Sequence, residues 1–294
     1  MYGAERKRKM SSQEYMKKLA EQFDKGEIKF LDGNDEFEFT CDQCGRCCRN
    51  REDIIITPFD LYHLVRATGK SAKEVIAKYG NMYVGSNSNL PLIQLRYREE
   101  PDGSTTCYFL GRKDGKYICR VHEDKPCVCR TFPLGKMSAY KTDDGKQDLS
   151  PKYFRQEVPA RGECPGSDRS RDEHIMQRVV DWVGGEKKKT LSDRYSSIFN
   201  QFMQDYSKAF NEKTVLKRRK SLIDIFFNTL GLLMYLAYDF SVDDDTFLDC
   251  MEQNLNDALE LTRLMMTDTD EMMSWIISLF DRLQKKGLPD KEAV

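Results

Sequence analysis

The sequence predicts an α+β fold, in which an irregular cysteine-rich domain with short strands and helices is followed by an all-α C-terminal helical bundle. Three observations carry this reading. All of the ten cysteines but Cys250 fall between Cys41 and Cys164. The same stretch mixes short alternating runs with capped helix starts. Beyond about residue 184, apolar residues recur at helical spacing.

The elements follow in order. Tyr15, Leu19 and Phe23 recur every four residues across Ser12 to Phe23 before Gly26, which predicts a helical arm over residues 1–27. Ile28 to Phe39 alternates around Asp32-Gly33-Asn34 and suggests a hairpin leading into the first cysteine. Ile54 to Ile56 reads as a short buried strand. Thr57-Pro58-Phe59-Asp60 then supplies an N-cap, a proline at the first helical position and an acid at the third, and Ser71 with Glu74 repeats the signal. Two short helices are therefore expected, ending at Gly69 and near Tyr79. Leu92 to Tyr97 and Thr105 to Leu110 are the best strand candidates before a turn at Asp114-Gly115.

A Gly-Gly pair and a Glu-Lys-Lys-Lys run around residues 183–189 mark the expected boundary, which gives a cysteine-cluster domain over 28–183 and a helical bundle over 184–294. Helices are expected over Ser192 to Phe210, Val215 to Phe240, Asp243 to Met266 and Asp270 to Lys286, with Ser241 and Thr267 or Asp268 as N-caps. The stretch Leu222 to Tyr238 is interrupted by Asp224, Asn228 and Gly231 and reads as a buried helix, so no membrane partner is expected.

With 47 basic and 48 acidic residues the formal charge is -1, which gives no reason to expect nucleic acid. The first ten residues are basic but lead into Ser11-Ser12-Gln13-Glu14 rather than an apolar run, so a cytoplasmic location is expected. In that reducing setting, dense cysteines point to metal or redox chemistry rather than to disulfides.

Cys41, Cys44, Cys47 and Cys48 form a CxxCGxCC run in which two-residue gaps let successive sulfurs converge, with Gly45 allowing the tight turn. A cysteine triplet at two-residue gaps is closer to the grip of a ferredoxin on a 4Fe-4S iron-sulfur cluster than to paired zinc-ribbon CxxC units, although zinc stays open. Adjacent Cys47 and Cys48 are expected to face different centres or vertices. Arg46 and Arg49 are placed to offset thiolate charge. Cys107, Cys119, Cys127 and Cys129 form a second group, and Cys164 precedes Pro165, a context also found at ferredoxin ligands. Cys250 shares a face with Phe247, Met251 and Leu255 and reads as a small core residue. His63, His122 and His174 read as surface or satisfied histidines, and the methionines from Met251 to Met273 as core. Asp60, Arg130 and Tyr108 are candidates to orient ligands, or Asp60 and Arg130 to pair with each other.

Phe39-x-Cys41-x-x-Cys44-Gly45-x-Cys47-Cys48-Arg49, followed by Ile56-Thr57-Pro58-x-Asp60, Cys107-x-Phe109-Leu110, Cys119 and Pro126-x-x-Cys129-Arg130-x-Phe132-Pro133, resembles the YkgJ or CxxCxxCC family. The resemblance spans about Phe39 to Gly166 and implies a zinc- or iron-chelating domain. It implies Cys41, Cys44, Cys47, Cys48, Cys107, Cys119, Cys129 and Cys164 as metal ligands and leaves Cys127 outside the pattern. His122 stands where the family has tyrosine, and Lys125 where it has arginine.

The expected function is a metal-binding cysteine-cluster protein with a metal ion or cluster as its partner, and the helical domain as a surface for a protein partner or substrate. Whether it is also an enzyme stays open. Kinship with a flagellin lysine methylase implies a metal-dependent protein-modifying enzyme, a lysine N-methylase, as the alternative. No GxGxxG loop supports a nucleotide-type cofactor, and a thiol-disulfide oxidoreductase lacks its βαβ setting.

Overall fold

The computed structural model of the protein describes residues 17–19, 21–23, 25–51, 53–137, 140–141, 147–148, 150–156, 164–167 and 175–288. His174 and the start of the expected arm lie outside these residues, while residues 17–19 and 21–23 are helical. Helices and short strands mix as expected: the N-terminal part is irregular with short strands, and the C-terminal part is helical.

The hairpin expected over Ile28 to Phe39 does not form. Its turn is present, with Asp35 N–H donating to Asp32 O at 3.1 Å, but its two arms go to different sheets. Phe30–Leu31 pairs with Lys152–Arg155, which also pairs with Leu134–Met137, whereas Glu36–Glu38 pairs with Met176–Arg178. The aromatic residues explain the choice. Phe37 and Phe39 are buried against Trp182, with ring centroids 5.9 and 5.2 Å away, and Phe30 stacks on Phe23 at 4.7 Å. A two-stranded hairpin alone would have left these rings in water.

Ile55–Ile56, Pro91–Leu95 and Gly80–Val84 form a second antiparallel sheet, with Pro91–Leu95 in the middle. Helix α1 (Pro58–Thr68) follows its first strand and helix α2 (Ala72–Tyr79) follows α1. Both start on the capping boxes read from the sequence, Thr57 with Asp60 and Ser71 with Glu74, and α1 ends on Gly69 in the left-handed region at φ 63°. The stretch Thr105 to Leu110 is not one strand. Thr105–Cys107 pairs with Tyr97–Glu99 and Leu110–Lys113 pairs with Lys116–Cys119. The break falls where Phe109 N–H turns to Cys107 Sγ at 3.4 Å.

The short helices α3 (Cys127–Thr131) and α4 (Val179–Trp182) precede the long α5 (Glu186–Ala209), whose first turn is the Glu-Lys-Lys-Lys run after Gly184 and Gly185, both at positive φ. Val215 to Phe240 is not continuous. A turn of helix, α6 (Glu212–Val215), is separated from α7 (Lys220–Tyr235), and between them Arg218 donates to the carbonyls of Met265 and Met266 at 3.3 Å. Helix α8 (Asp244–Thr267) is capped by Asp243 rather than Ser241, and α9 (Thr269–Lys285) by Asp268. Among the described residues no helix is long and apolar enough to cross a membrane; α7 buries Phe226, Leu230 and Leu232 to Tyr235 in the core.

The main hydrophobic cluster runs from Ile54 through α1 and the second sheet into α5, α7, α8 and α9. Tyr62 is its hinge pin: it stacks on Phe247 at 4.2 Å and its hydroxyl donates to Val242 O at 2.8 Å. Met251, Met265 and Met272 are fully buried there, as their spacing suggested. Cys250, by contrast, is exposed: it falls one position off the buried stripe of Phe247, Met251 and Leu255.

A second tie joins the first sheet to α5. Lys136 Nζ and Lys189 Nζ each lie 2.8 Å from Asp193, and Tyr153 Oη donates to the same carboxylate at 2.9 Å. Burial disfavours the Asp193 charge, but Lys136 and these hydrogen bonds outweigh it and hold its pKa below the usual carboxylate value.

Candidate metal centre

The cysteine loop is a left-handed turn leading into a turn of 3₁₀ helix. Gln43 and Gly45 have φ 52° and 69°, after which Arg46–Cys48 winds with Cys48 N–H on Gly45 O at 3.1 Å. Gly45 is needed twice over. A side chain disfavours its φ, and a Cβ there would stand 2.8 Å from the Tyr117 ring. The winding brings Cys47 Sγ and Cys48 Sγ to 3.9 Å, so these neighbours do not point to opposite sides.

Two hairpins hold the loop and bring further thiols to it. Tyr117 N–H donates to Gln43 O at 3.1 Å, and the strand it belongs to ends at Cys119. Asn50 exchanges bonds with Thr105, its N–H reaching Thr105 O at 2.8 Å and its side chain accepting from Thr105 N–H at 3.0 Å. That strand carries Cys107, whose side chain is buried.

Cys129 arrives on α3, which Asp60 positions. The Asp60 carboxylate, 2 % exposed, accepts from Thr57 N–H at 3.0 Å with one oxygen and from Cys127 N–H at 2.7 Å with the other. One side chain thus caps the first turns of both α1 and α3. Arg130 is not its partner; its guanidinium donates to the carbonyls of Glu123 and Lys125.

Electrostatics sort the thiols. Burial raises the pKa values of Cys41, Cys107, Cys119 and Cys129, Cys107 to about 11. Neighbouring thiolates raise them further: Cys47 and Cys44 act on Cys41, Cys119 on Cys107, Cys47 on Cys119, and Cys107 and Cys47 on Cys129. The hydrogen bond within the Cys47 and Cys48 pair lowers Cys47 and raises Cys48, which also feels Cys107 and Cys129. The loop, both hairpin ends and α3 therefore share one field. Burial also raises Cys127, but the charges acting on it are those of Asp60, Lys136 and Arg130. Cys164 sits in the aromatic cluster of Phe37, Phe39 and Trp182. Its turn abuts the chain just before Cys41, because a Cβ at Gly166 would meet Thr40 O.

Cations beyond those expected from sequence also stand beside this field. Arg49 lies over Tyr117, 4.7 Å from its centroid, and hydrogen-bonds its hydroxyl. Arg51 and Lys125 favour the Cys47 thiolate. Arg51 is 9 % exposed and clamped by Asp53 through two bonds of 2.9 and 3.1 Å. An Arg-x-Asp pair three residues beyond the last loop cysteine was the signal for it. His63 packs edge-on against Phe59 at 4.5 Å with Nδ1 3.6 Å from Asp124, and His122 is exposed, in keeping with satisfied or surface histidines.

Among the described residues no three Cys, His, Asp or Glu side chains already enclose a point that could hold an ion. The donor chemistry nonetheless fits a thiophilic metal: two sulfurs bound at about 2.3 Å to one tetrahedral zinc lie roughly 3.8 Å apart, close to the Cys47 and Cys48 pair. Thiolates in this number suit zinc and iron-sulfur centres over magnesium or calcium.

These features are those of a cysteine-rich module built on short strands and capped helices. Residues 40–149 match the model of the CxxCxxCC family, described as a putative zinc- or iron-chelating domain. The match takes in the loop, both hairpins and α3, and stops short of Cys164 and the C-terminal helices. No curated protein and no solved structure matches the chain.

Proposed function

We propose that the chain is a metal-binding protein in which Cys41, Cys44, Cys47, Cys48, Cys107, Cys119 and Cys129, with Cys164 at the edge, hold an iron-sulfur cluster or zinc. The observation that carries this reading is the set of hydrogen bonds that ties the cysteine loop to both cysteine-bearing hairpins, Tyr117 N–H to Gln43 O and Asn50 to Thr105, within the stretch that matches the chelating-domain family. Holding the metal would be the work of these sulfurs, while Arg51 and Lys125 offset their charge and Asp60 keeps α3 in place. When bound, the metal would supply redox capacity as an iron-sulfur cluster, or structural cross-linking as zinc.

Each metal has its own support. The triplet at two-residue gaps and the Cys164-Pro165 pair favour a 4Fe-4S cluster. The 3.9 Å separation of Cys47 and Cys48 favours a single shared ion. We further infer a reducing, cytoplasmic setting, in which such thiols stay available to metal.

Anaerobic purification with elemental analysis, acid-labile sulfide and a visible spectrum tests the reading. Iron with sulfide and a brown chromophore identifies the cluster, and colourless protein with stoichiometric zinc identifies the ion. A chain that carries neither defeats the proposal.

A further inference from the structure

We propose that the arginine-lined cavity beside the cysteine loop binds a small molecule through an oxyanion group, a phosphate or a carboxylate. The cavity measures about 480 Å³, within the range of small-molecule sites. Arg49, Arg98, Arg112 and Arg120 line it, against the carboxylates of Glu100 and Asp102.

Those carboxylates make their hydrogen bonds to other groups, although the Arg49 charge also acts on Asp102. Glu100 accepts from the Thr106 hydroxyl, and Asp102 accepts from the N–H and hydroxyl of Ser104 at 2.9 and 2.6 Å. Four guanidinium groups against two carboxylates leave an excess of two positive charges, the complement of a doubly charged oxyanion. A cluster of like charges in a concavity is unfavourable unless something anionic shares it.

Two of the cations are anchored at one end, Arg49 on the Tyr117 hydroxyl and Arg98 on Leu110 O at 3.4 Å. The Nε–H groups of Arg49 and Arg98 are buried without a hydrogen bond, and both side chains line the cavity. The fork of Nε and Nη suits a planar or tetrahedral oxyanion.

The walls are fixed in advance. The Tyr117 ring lies between Arg49 and Arg112, 4.7 and 4.5 Å from their guanidinium carbons, and its hydroxyl accepts from both. Arg120 crosses Gly111, where a Cβ would stand 3.0 Å from Arg120 Nε. Arg49 directly follows Cys48 and Thr106 directly precedes Cys107, so the ligand would lie next to the thiol segments.

Calorimetric titration of the full, metal-loaded chain with inorganic phosphate and, separately, succinate at low ionic strength tests this. Saturable one-to-one binding of either anion is expected, with the anion that binds identifying the group. Arg98→Gln and Arg120→Gln should each weaken it at least tenfold at unchanged metal content, and Arg120 is exposed, so its replacement leaves the fold intact. Absence of saturable binding by both anions, or undiminished binding in Arg120→Gln, overturns the proposal.

Discussion

Tyr117 lies directly over Gly45, so that a single added carbon at Gly45 would come 2.8 Å from the ring. The contact joins the CxxCGxCC loop to the hairpin that ends at Cys119, and it makes the loop's shape depend on a residue far along the chain. Gly45→Ala should therefore suffer twice, from its positive φ, about 1–2 kcal/mol, and from overpacking, about 1–3 kcal/mol. Gly115 offers the control, since it also has positive φ (78°) but meets nothing within 4 Å. Chemical denaturation should find Gly45→Ala less stable than Gly115→Ala, with metal content reduced only in the former. Equal losses would mean that Tyr117 does not press on the loop.

Asp60 caps α1 and α3 together, so losing it should cost more than losing one cap. Thr57→Ala removes the Thr57 acceptor for Asp60 N–H and should cost about 1 kcal/mol. Asp60→Ala strands the amides of Thr57 and Cys127 in a buried site, at about 1–3 kcal/mol each. Denaturation midpoints of the two variants check the order, and Asp60→Ala should also bind less metal because Cys129 rides on α3.

Asp193 predicts a pH dependence. Its folded pKa is lowered below the unfolded value, so its contribution is present above that unfolded value and is lost as pH falls through the lowered one. Asp193→Asn should be destabilised near neutral pH, since Lys136 and Lys189 lose their shared counter-charge. Its acid limb should be flatter than that of the parent chain. Thermal melting from pH 7 down to pH 3 measures both, and parallel curves would contradict this role.

What the sequence made legible was local. Thr57 and Ser71 announce their helices within three residues, and the methionine stripe of α8 and α9 follows from period alone. The hairpin around Asp32 was misread because the partners of its two arms lie more than a hundred residues away, where short strands of three or four residues leave little pattern. Position on a helix face separated Cys250 from the core by a single residue, finer than an apolar pattern resolves. For the site, the loop cysteines were readable from spacing, whereas Cys107, Cys119 and Cys129 were indicated by family resemblance. Arg51 escaped because the Arg-x-Asp spacing offers it a partner but says nothing of its burial, which depends on tertiary packing.

The central claim is that thiols from distant segments serve one centre, and the metal content of Cys129→Ser compared with Cys250→Ser tests it most directly. Cys129 shares the field of Cys47 and Cys107, whereas Cys250 is exposed on α8. Elemental analysis after anaerobic purification should find Cys129→Ser depleted of iron or zinc and Cys250→Ser at the level of the parent chain. Full metal content in Cys129→Ser would contradict a centre that α3 helps to build.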